Sequence, residues 1–249
     1  MPASSGDGSE ATFTVTHDAA GGDALVMGLT EFGLAGLTAA DYLIDHLDLE
    51  KTGHITVEQL PSITPFENGT PRHHTRFFSR PELDITVLTG ELFVPVQASR
   101  PFAKAILSWM AEADVQETTI LSGVPVAHGP DEHRTFYVAT EDYHERRLTA
   151  TDIPPMATGF LDGVKADLIG QGIETDLACG ALLTPVHEQV PDVQAAIRLV
   201  DSTAGLYGLD VDTEPLEAFA DEIARYYQEL ADRVQQAAET QTPDDRMYM

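Results

Sequence analysis

The sequence predicts an α/β fold, a three-layer αβα domain with a mostly parallel sheet. Short apolar segments typical of buried strands recur along the chain, amphipathic helical segments separate them, and glycine or proline marks many junctions. Strands that alternate with helices need crossover connections, which place parallel strands side by side with helices on both faces. The 249 residues, 43% of them hydrophobic, are enough for a substantial core.

Seven segments are predicted to be strands because they are short and either apolar or alternating, with turn residues at their ends. They span residues 23–29, 54–60, 75–78, 84–90, 117–124, 135–139 and 175–183. The stretch between residues 61 and 81 carries four prolines, so apart from its one short strand it is predicted to be loop.

Five segments show the three- and four-residue spacing of apolar side chains that indicates amphipathic helices. They span residues 34–47, 99–110, 159–170, 193–207 and 214–239. In the first helix, Asp41, Asp45 and Asp48 are expected to face water. Ser99 is expected to cap the second helix, with Pro101 near its first turn.

Composition and residue patterns predict three parts of the chain. Residues 1–10 are expected to be disordered, residues 11–239 to form a single domain, and residues 240–249 to form a flexible tail. The first residues lack the basic and apolar regions of a signal peptide, and no apolar stretch approaches the roughly 20 residues of a membrane span. We therefore expect a cytoplasmic protein without a membrane partner.

Charge is the strongest compositional feature, with 41 Asp and Glu residues against 14 Lys and Arg and a formal net charge of -27. The acidic residues are spread along the chain rather than gathered in a tail. Such a surface repels phosphate backbones and argues against nucleic-acid binding. Because concentrated salt screens the self-repulsion of carboxylates, we interpret the composition as adaptation to a salt-rich cytoplasm.

Two segments partly resemble catalytic or nucleotide-binding motifs. The glycines between residues 28 and 36 follow a strand and open a helix, but they do not spell G-x-G-x-x-G, and Glu31 would place negative charge beside a phosphate. Close backbone packing is the favoured interpretation. Ser122-Gly123 lacks the first glycine of G-x-S-x-G, so no nucleophile elbow is indicated.

Cysteine and histidine give no metal site. Cys179 is the single cysteine and lies in an apolar run, which predicts a buried structural thiol. The nine histidines include no H-x-x-x-H or H-E-x-x-H pattern. The sequence thus predicts no catalytic residues, no cofactor and no metal.

The last three residues, Met247, Tyr248 and Met249, follow a polar segment that contains Pro243. Apolar side chains at the end of a mobile tether cannot contribute to the core of their own domain. We therefore predict that they form an anchor that fills a pocket in a partner protein. The alternative is a tail that folds back onto its own domain.

Three segments carry a resemblance to a known family. The strand–turn–helix Leu25–Leu43 (LVMGLTEFGLAGLTAADYL) resembles the opening of the archaeal proteasome-assembly-chaperone family, and residues 121–125 and 200–216 resemble later parts of it. These proteins are homologues of the second subunit of the eukaryotic assembly chaperone. The resemblance implies an αβα fold related to phosphorylase-like and Rossmann-like domains, no established enzymatic role, and a homo-oligomer.

The end of the chain is similar to the hydrophobic–tyrosine–any-residue terminus of proteasome activators and of some archaeal members of this family. Those termini insert between adjacent α-subunits of the core proteasome, and the resemblance implies the same role for Met247, Tyr248 and Met249. With its acidic composition, the chain looks like a haloarchaeal-type member.

The leading hypothesis is a non-catalytic protein that binds the α-subunits of the core proteasome, as an assembly chaperone or an activator. The first alternative is a small-molecule or nucleotide-binding enzyme that uses a pocket at the carboxyl ends of the strands. The second is an α/β scaffold whose partner is unrelated to the proteasome.

Stability should depend strongly on salt, because carboxylate repulsion opposes the compact state at low ionic strength. We expect the thermal midpoint, followed by circular dichroism, to be higher in molar than in millimolar potassium chloride. An unchanged midpoint over that range would contradict the interpretation of the charge.

Overall fold

The computed structural model describes residues 11–18, 22–60, 62–126, 133–186, 191–216 and 218. The chain divides into two compact units, residues 1–211 and 212–249. In the second unit, residues 214–216 are helical. The predicted disordered segment 1–10, most of the predicted helix 214–239, and the tail with Met247, Tyr248 and Met249 lie outside the described residues.

The first unit is built on an eight-stranded sheet and a separate two-stranded hairpin. The strands are β1 (Thr12–His17), β2 (Ala24–Leu29), β3 (Glu50–Glu58), β4 (Phe66–Glu67), β5 (Thr70–Pro71), β6 (Thr75–Ser79), β7 (Ile85–Gly90), β8 (Glu117–Val124), β9 (Phe136–Ala139) and β10 (Ala178–Pro185). The sheet order is β1-β3-β6-β7-β2-β8-β10-β9, and β4 pairs with β5.

The centre of the sheet is parallel and its two sides are antiparallel. Strands β7, β2, β8 and β10 are joined by parallel ladders. The sheet continues through antiparallel ladders to β6, β3 and β1 on one side and to β9 on the other. Strands β2, β3, β7, β8 and β10 thus point one way and the other three the opposite way, which confirms the predicted mostly parallel sheet.

Helices cover both faces of the sheet. They are α1 (Ala35–His46), α2 (Val96–Glu112), α3 (Glu141–Tyr143), α4 (Gly163–Glu174) and α5 (Val193–Tyr207), with a 3-10 turn at Phe32–Leu34 and a π-helical turn at His144–Leu148. Helices α1 and α5 pack together on one face, and α2 and α4 pack together on the other. This arrangement confirms the predicted three-layer αβα fold.

The central strands are buried on both faces, as their apolar sequences require. One core lies beneath α2 and α4 and includes Met27, Phe77, Leu88, Phe102 and Leu168. Residues of β2 and β7 with the opposite parity, such as Val26 and Val87, are equally buried beneath α1. The parallel part of the sheet is therefore enclosed between two apolar layers.

Asp41, which was predicted to face solvent, is partly buried instead. Asp41 accepts a 2.7 Å hydrogen bond from the hydroxyl of Thr89 on β7, so the expectation that it faces water was wrong. Burial raises the pKa of Asp41, and the hydrogen bond and the nearby charges of Arg76 and Arg72 partly offset that effect. Helical spacing alone did not reveal this because Asp41 lies at the border of the buried stripe of α1.

Two helix boundaries also differ from prediction. Helix α2 begins at Val96, so Ser99 is not its cap and Pro101 lies inside the helix. The Ser99 hydroxyl instead donates a 2.6 Å hydrogen bond to Asp167 of α4. Helix α4 begins at Gly163 rather than at residue 159, which leaves Phe160 fully exposed before it.

Two glycines let α1 lie directly on the sheet. A Cβ atom at Gly36 would overlap the carbonyl oxygen of Leu121 on β8, and one at Gly28 would overlap the carbonyl oxygen of Gly36. The predicted close packing of this glycine segment is therefore confirmed. No larger residue fits unless helix and sheet separate.

The variant Gly36→Ala should destabilise the protein by about 2–3 kcal/mol or more, because its Cβ would meet backbone that cannot move independently. Gly205→Ala is the matched control, since Gly205 lies in α5 with no atom near the added methyl group. The control should stabilise by about 0.5–1 kcal/mol through helix propensity. Urea unfolding of both variants in concentrated salt measures the difference, and equal stabilities would contradict the proposed overlap.

Candidate functional site

The sites predicted from the sequence fall in different parts of the chain. The proposed anchor, Met247, Tyr248 and Met249, lies outside the described residues. The glycine segment that was compared with a nucleotide loop lies at the carboxyl end of β2. In a largely parallel sheet, ligand pockets form at the edge where the carboxyl ends of the strands lie.

A pocket of about 540 Å³ opens at this edge. Its walls come from the loop after β2, the segment before α2, and the amino-terminal turn of α4. Three of its lining side chains, Phe32, Phe93 and Val96, are large, apolar and more than half exposed. The volume lies within the range of small-molecule sites, and the exposed aromatic rings also suit a protein contact.

The polar wall of the pocket is a closed network around Glu31. One carboxylate oxygen accepts a 2.8 Å hydrogen bond from the Lys165 ammonium, and the other accepts a hydrogen bond from the hydroxyl of Ser122. Lys165 also forms an ion pair with Asp162 at 3.1 Å. Burial lowers the pKa of Lys165, but Glu31 and Asp162 raise it more, so the pKa lies above its ordinary value.

The polar groups of this network are bonded to one another, which stabilises the site and leaves few of them available for catalysis. Ser122 is completely buried, and its hydroxyl is already bonded to Glu31. A lysine with a raised pKa stays protonated at neutral pH, so Lys165 cannot serve as a general base there. The two carboxylates and one ammonium leave a net charge of about -1, which disfavours a phosphate ligand. The position of Glu31 thus agrees with the argument against a nucleotide loop.

A second polar cluster is buried near the start of β8. The hydroxyl of Thr119 bonds to the phenols of Tyr143 and Tyr207, the latter at 2.6 Å. Beside it, the guanidinium of Arg147 forms a 2.7 Å ion pair with Glu117 and lies over the ring of Tyr207. Burial raises the pKa of Tyr143 to about 12, so its phenol remains protonated and hydrogen-bonded. This cluster fixes the end of α5 to the sheet.

The remaining candidates for chemistry are inert or lack the required geometry. Cys179 is buried, and burial raises its pKa to about 12, as a structural thiol requires. Among the described residues, no group of three or more His, Cys, Asp or Glu side chains could hold a metal ion. His54 and His73 are stacked, with ring centroids 3.7 Å apart, and do not converge on a common point. Within the part of the chain that the structure describes, no helix is long and apolar enough to cross a bilayer.

Sequence reasoning found Glu31 but missed its partners. Lys165 lies 134 residues away from Glu31, and Ser122 was considered only as part of a hydrolase motif. A usable signal existed, because a lysine is rare in this chain and Lys165 lies in an apolar helix. A buried cation in such a position implies a buried carboxylate partner.

The chain is similar to a known family and to several solved structures. The PAC2 family matches residues 25–231. Among solved structures, Pyrococcus furiosus PbaA, an archaeal homolog of proteasome-assembly chaperone, superposes with a TM-score of 0.80 at 20% identity, covering 93% of this chain and 96% of that one. P. furiosus PbaB, an archaeal proteasome activator, superposes with a TM-score of 0.73 at 20% identity, covering 89% of this chain and 99% of that one.

A protein of unknown function from Thermoplasma acidophilum gives a TM-score of 0.72 at 18% identity, covering 91% of this chain and 92% of that one. At these identities the structural matches establish the shared fold. No curated protein sequence matches the chain.

The pair formed by Glu31 and Lys165 should show strong energetic coupling. Lys165→Met alone should cost about 2–4 kcal/mol of stability, because it leaves the Glu31 carboxylate partly buried without a cation. Adding Glu31→Gln to that variant should recover about 1–2 kcal/mol relative to additivity. A double-mutant cycle by urea unfolding in concentrated salt measures this, and additive effects would show that the two groups do not interact.

Proposed function

Because this chain belongs to the PAC2 family, we propose that it is a cytoplasmic, non-catalytic protein that binds the core proteasome, as an assembly chaperone or as an activator. Two structures with the same fold belong to a proteasome-assembly-chaperone homolog and to a proteasome activator. The observation that carries the proposal is the combination of this family membership with a Met-Tyr-Met end after a polar segment.

The proposed contact is made by Met247, Tyr248 and Met249 in pockets between adjacent α-subunits of the core proteasome. Met247 contributes apolar burial of about 1.5–3 kcal/mol if it is completely covered. Tyr248 packs its ring and offers its hydroxyl as a hydrogen-bond donor. The terminal carboxylate of Met249 pairs with a cation in the pocket. The side chain of Met249 contributes little to binding, because the pocket binds the main-chain carboxylate of this residue.

The segment before the anchor has the composition of a spacer. Residues 240–246 are polar and contain Pro243, which disfavours continuation of a helix. Seven extended residues reach up to about 23 Å, at roughly 3.3 Å per residue. A spacer of this length lets the last three residues enter a pocket while the domain stays outside the proteasome.

We propose further that the protein acts as a homo-oligomer. A three-residue anchor gains little free energy against the cost of association, which is about 4–15 kcal/mol. Several anchors on one assembly bind the same α-ring at high effective concentration. The closed network of Glu31, Ser122 and Lys165 supports a binding role over a catalytic one, because its polar groups are bonded to one another.

Variants of the last two residues test the proposal in a graded way. Tyr248→Ala should abolish binding to the core proteasome, and deletion of Met249 should do the same because it puts Tyr248 out of register. Met249→Ala is the matched control and should bind nearly normally. Pull-down of α-subunits in concentrated salt and peptide hydrolysis by the core proteasome are the measurements.

Two outcomes would overturn the proposal. If Tyr248→Ala binds and stimulates hydrolysis like the parent, the last residues are not the anchor. If the parent itself fails to bind while a small molecule copurifies with it, the pocket lined by Phe32 and Phe93 becomes the functional site. Mass spectrometry of the purified parent detects such a molecule.

A further inference from the structure

The two edge strands of the sheet differ in how far they are covered. At the β9 edge, Tyr137 exchanges backbone hydrogen bonds with the segment after it: its N–H donates to Pro154 at 3.0 Å, and its carbonyl accepts from Met156 at 2.9 Å. At the other edge, β1 pairs with β3 along all six of its residues. The β1 edge is therefore the place where the sheet could be extended.

The backbone of β1 alternates between its partner strand and the open side. The N–H of Asp18 donates to the carbonyl oxygen of Thr52 at 2.9 Å, so residues of the same parity, Thr14 and Thr16, face β3. Phe13 and Val15 then direct their N–H and C=O groups away from the sheet. Within the described part of the chain, no backbone partner meets these groups.

The described residues of β1 lack several of the features that usually protect an edge strand. TFTVTH contains no acidic residue, no lysine and no proline, and its register with β3 runs without a bulge. The other edge strand, β9 (FYVA), is also neutral, but its backbone is paired at Tyr137 with Pro154 and Met156. This edge is thus suited to pairing with another strand.

A groove of about 740 Å³ runs between β1 and α2. Phe13, Val15 and Trp109 give it an apolar floor, and Lys104, Ser108 and Glu112 of α2 lie along its exposed side. One positive and one negative side chain make its charge close to zero. A second chain can therefore approach here without the repulsion expected elsewhere on a protein of charge -27.

We propose that a second copy of this chain occupies this edge, with the two β1 strands antiparallel across a twofold axis and the two sheets continuous. The proposal deepens the homo-oligomer proposed above by naming its contact surface. It does not depend on the proteasome being the partner.

The charges along α2 are self-complementary under such an axis. Lys104 and Glu112 lie four residues before and four after Ser108. When two α2 helices run antiparallel about Ser108, Lys104 of each copy therefore faces the partner's Glu112, and the small serines meet at the centre. An isologous contact requires this kind of pairing of a surface with itself.

The same axis fits β1 and α2 together. Phe13 contacts Phe102 and His17 contacts Trp109, each pair with ring centroids 5.1 Å apart, so α2 runs alongside β1 in the same direction. Antiparallel pairing of the strands thus makes the helices antiparallel too. Interpolation between the two ring contacts places Ser108 level with Thr16, the fifth of the six residues of β1, so the two strands pair through their carboxyl-terminal halves around this residue.

A substitution at the axis tests the contact. Ser108→Arg brings two bulky cations face to face and should halve the molar mass measured by light scattering in molar potassium chloride. Gln171→Arg adds the same charge at an exposed position of α4 and should leave the mass unchanged. Thermal unfolding followed by circular dichroism checks that both variants are folded.

Cross-linking gives a second measurement that needs no disruption of the fold. Because Cys179 is buried, Ser108→Cys provides one accessible thiol, and a short bismaleimide should link it into dimers, whereas Gln171→Cys should stay unlinked. The parent should contain an even number of subunits, since every copy is paired.

The outcomes separate the proposals. The β1 contact is overturned, and the homo-oligomer kept, if the parent is an oligomer with an odd number of subunits. The same conclusion follows if Ser108→Arg keeps the molar mass of the parent and Ser108→Cys does not cross-link. A parent of 27.0 kDa in solution overturns both. Loss of proteasome binding in Tyr248→Ala, measured on the oligomeric parent, tests the anchor independently.

Discussion

The rest of the structure depends on the direct contact between the backbone of α1 and the sheet. Gly36 lies against the carbonyl of Leu121, and Gly28 lies against the carbonyl of Gly36, so α1 approaches β2 and β8 more closely than side chains would allow. This approach holds the loop before α1 at the carboxyl end of β8. Glu31 accepts a hydrogen bond from Ser122 there and another from Lys165, which lies in α4 of the opposite helical layer. One steric constraint thus ties both helical layers to the same edge of the sheet.

Several of the few cations in this chain form ion pairs with carboxylates inside the fold, which the net charge does not reveal. Lys165 neutralises Glu31, Arg147 neutralises the buried carboxylate of Glu117, and Arg76 lies against Glu91. A buried carboxylate without a cation would cost several kcal/mol, whereas a surface carboxylate is solvated and screened by salt. Each of these pairs removes one cation and one carboxylate together, so the outer surface keeps the net charge of -27 with fewer of the 14 cations spread over it. Ionic strength should therefore act mainly on the surface and much less on these pairs.

The sequence predicted the parallel centre of the fold well because those strands are buried on both faces and consist mostly of apolar, β-branched and small residues. Strand β8 and helix α5 have the predicted bounds. Strand β1 was missed because an edge strand with threonine at alternate positions has few apolar residues to mark it. The β4–β5 hairpin was missed because its prolines resemble loop. The place of Lys165 in an apolar helix indicated a buried carboxylate partner, but it could not identify Glu31, since spacing along the chain does not report contacts made across 134 residues.

The proposed anchor and the proposed β1 contact would together overcome one energetic limit on binding. A single anchor that buries one methionine and one tyrosine recovers only a few kcal/mol, which is close to the lower limit of what association costs. Additional contacts within the anchor cannot close that gap, because three residues offer little more surface. Linking copies through the domain can, since each further anchor binds at an effective concentration set by its spacer. The proposed contact at the neutral, self-complementary β1 edge would provide that linkage with little repulsion between two strongly acidic domains. The domain would then contribute to binding by setting the number of anchors rather than by touching the proteasome itself.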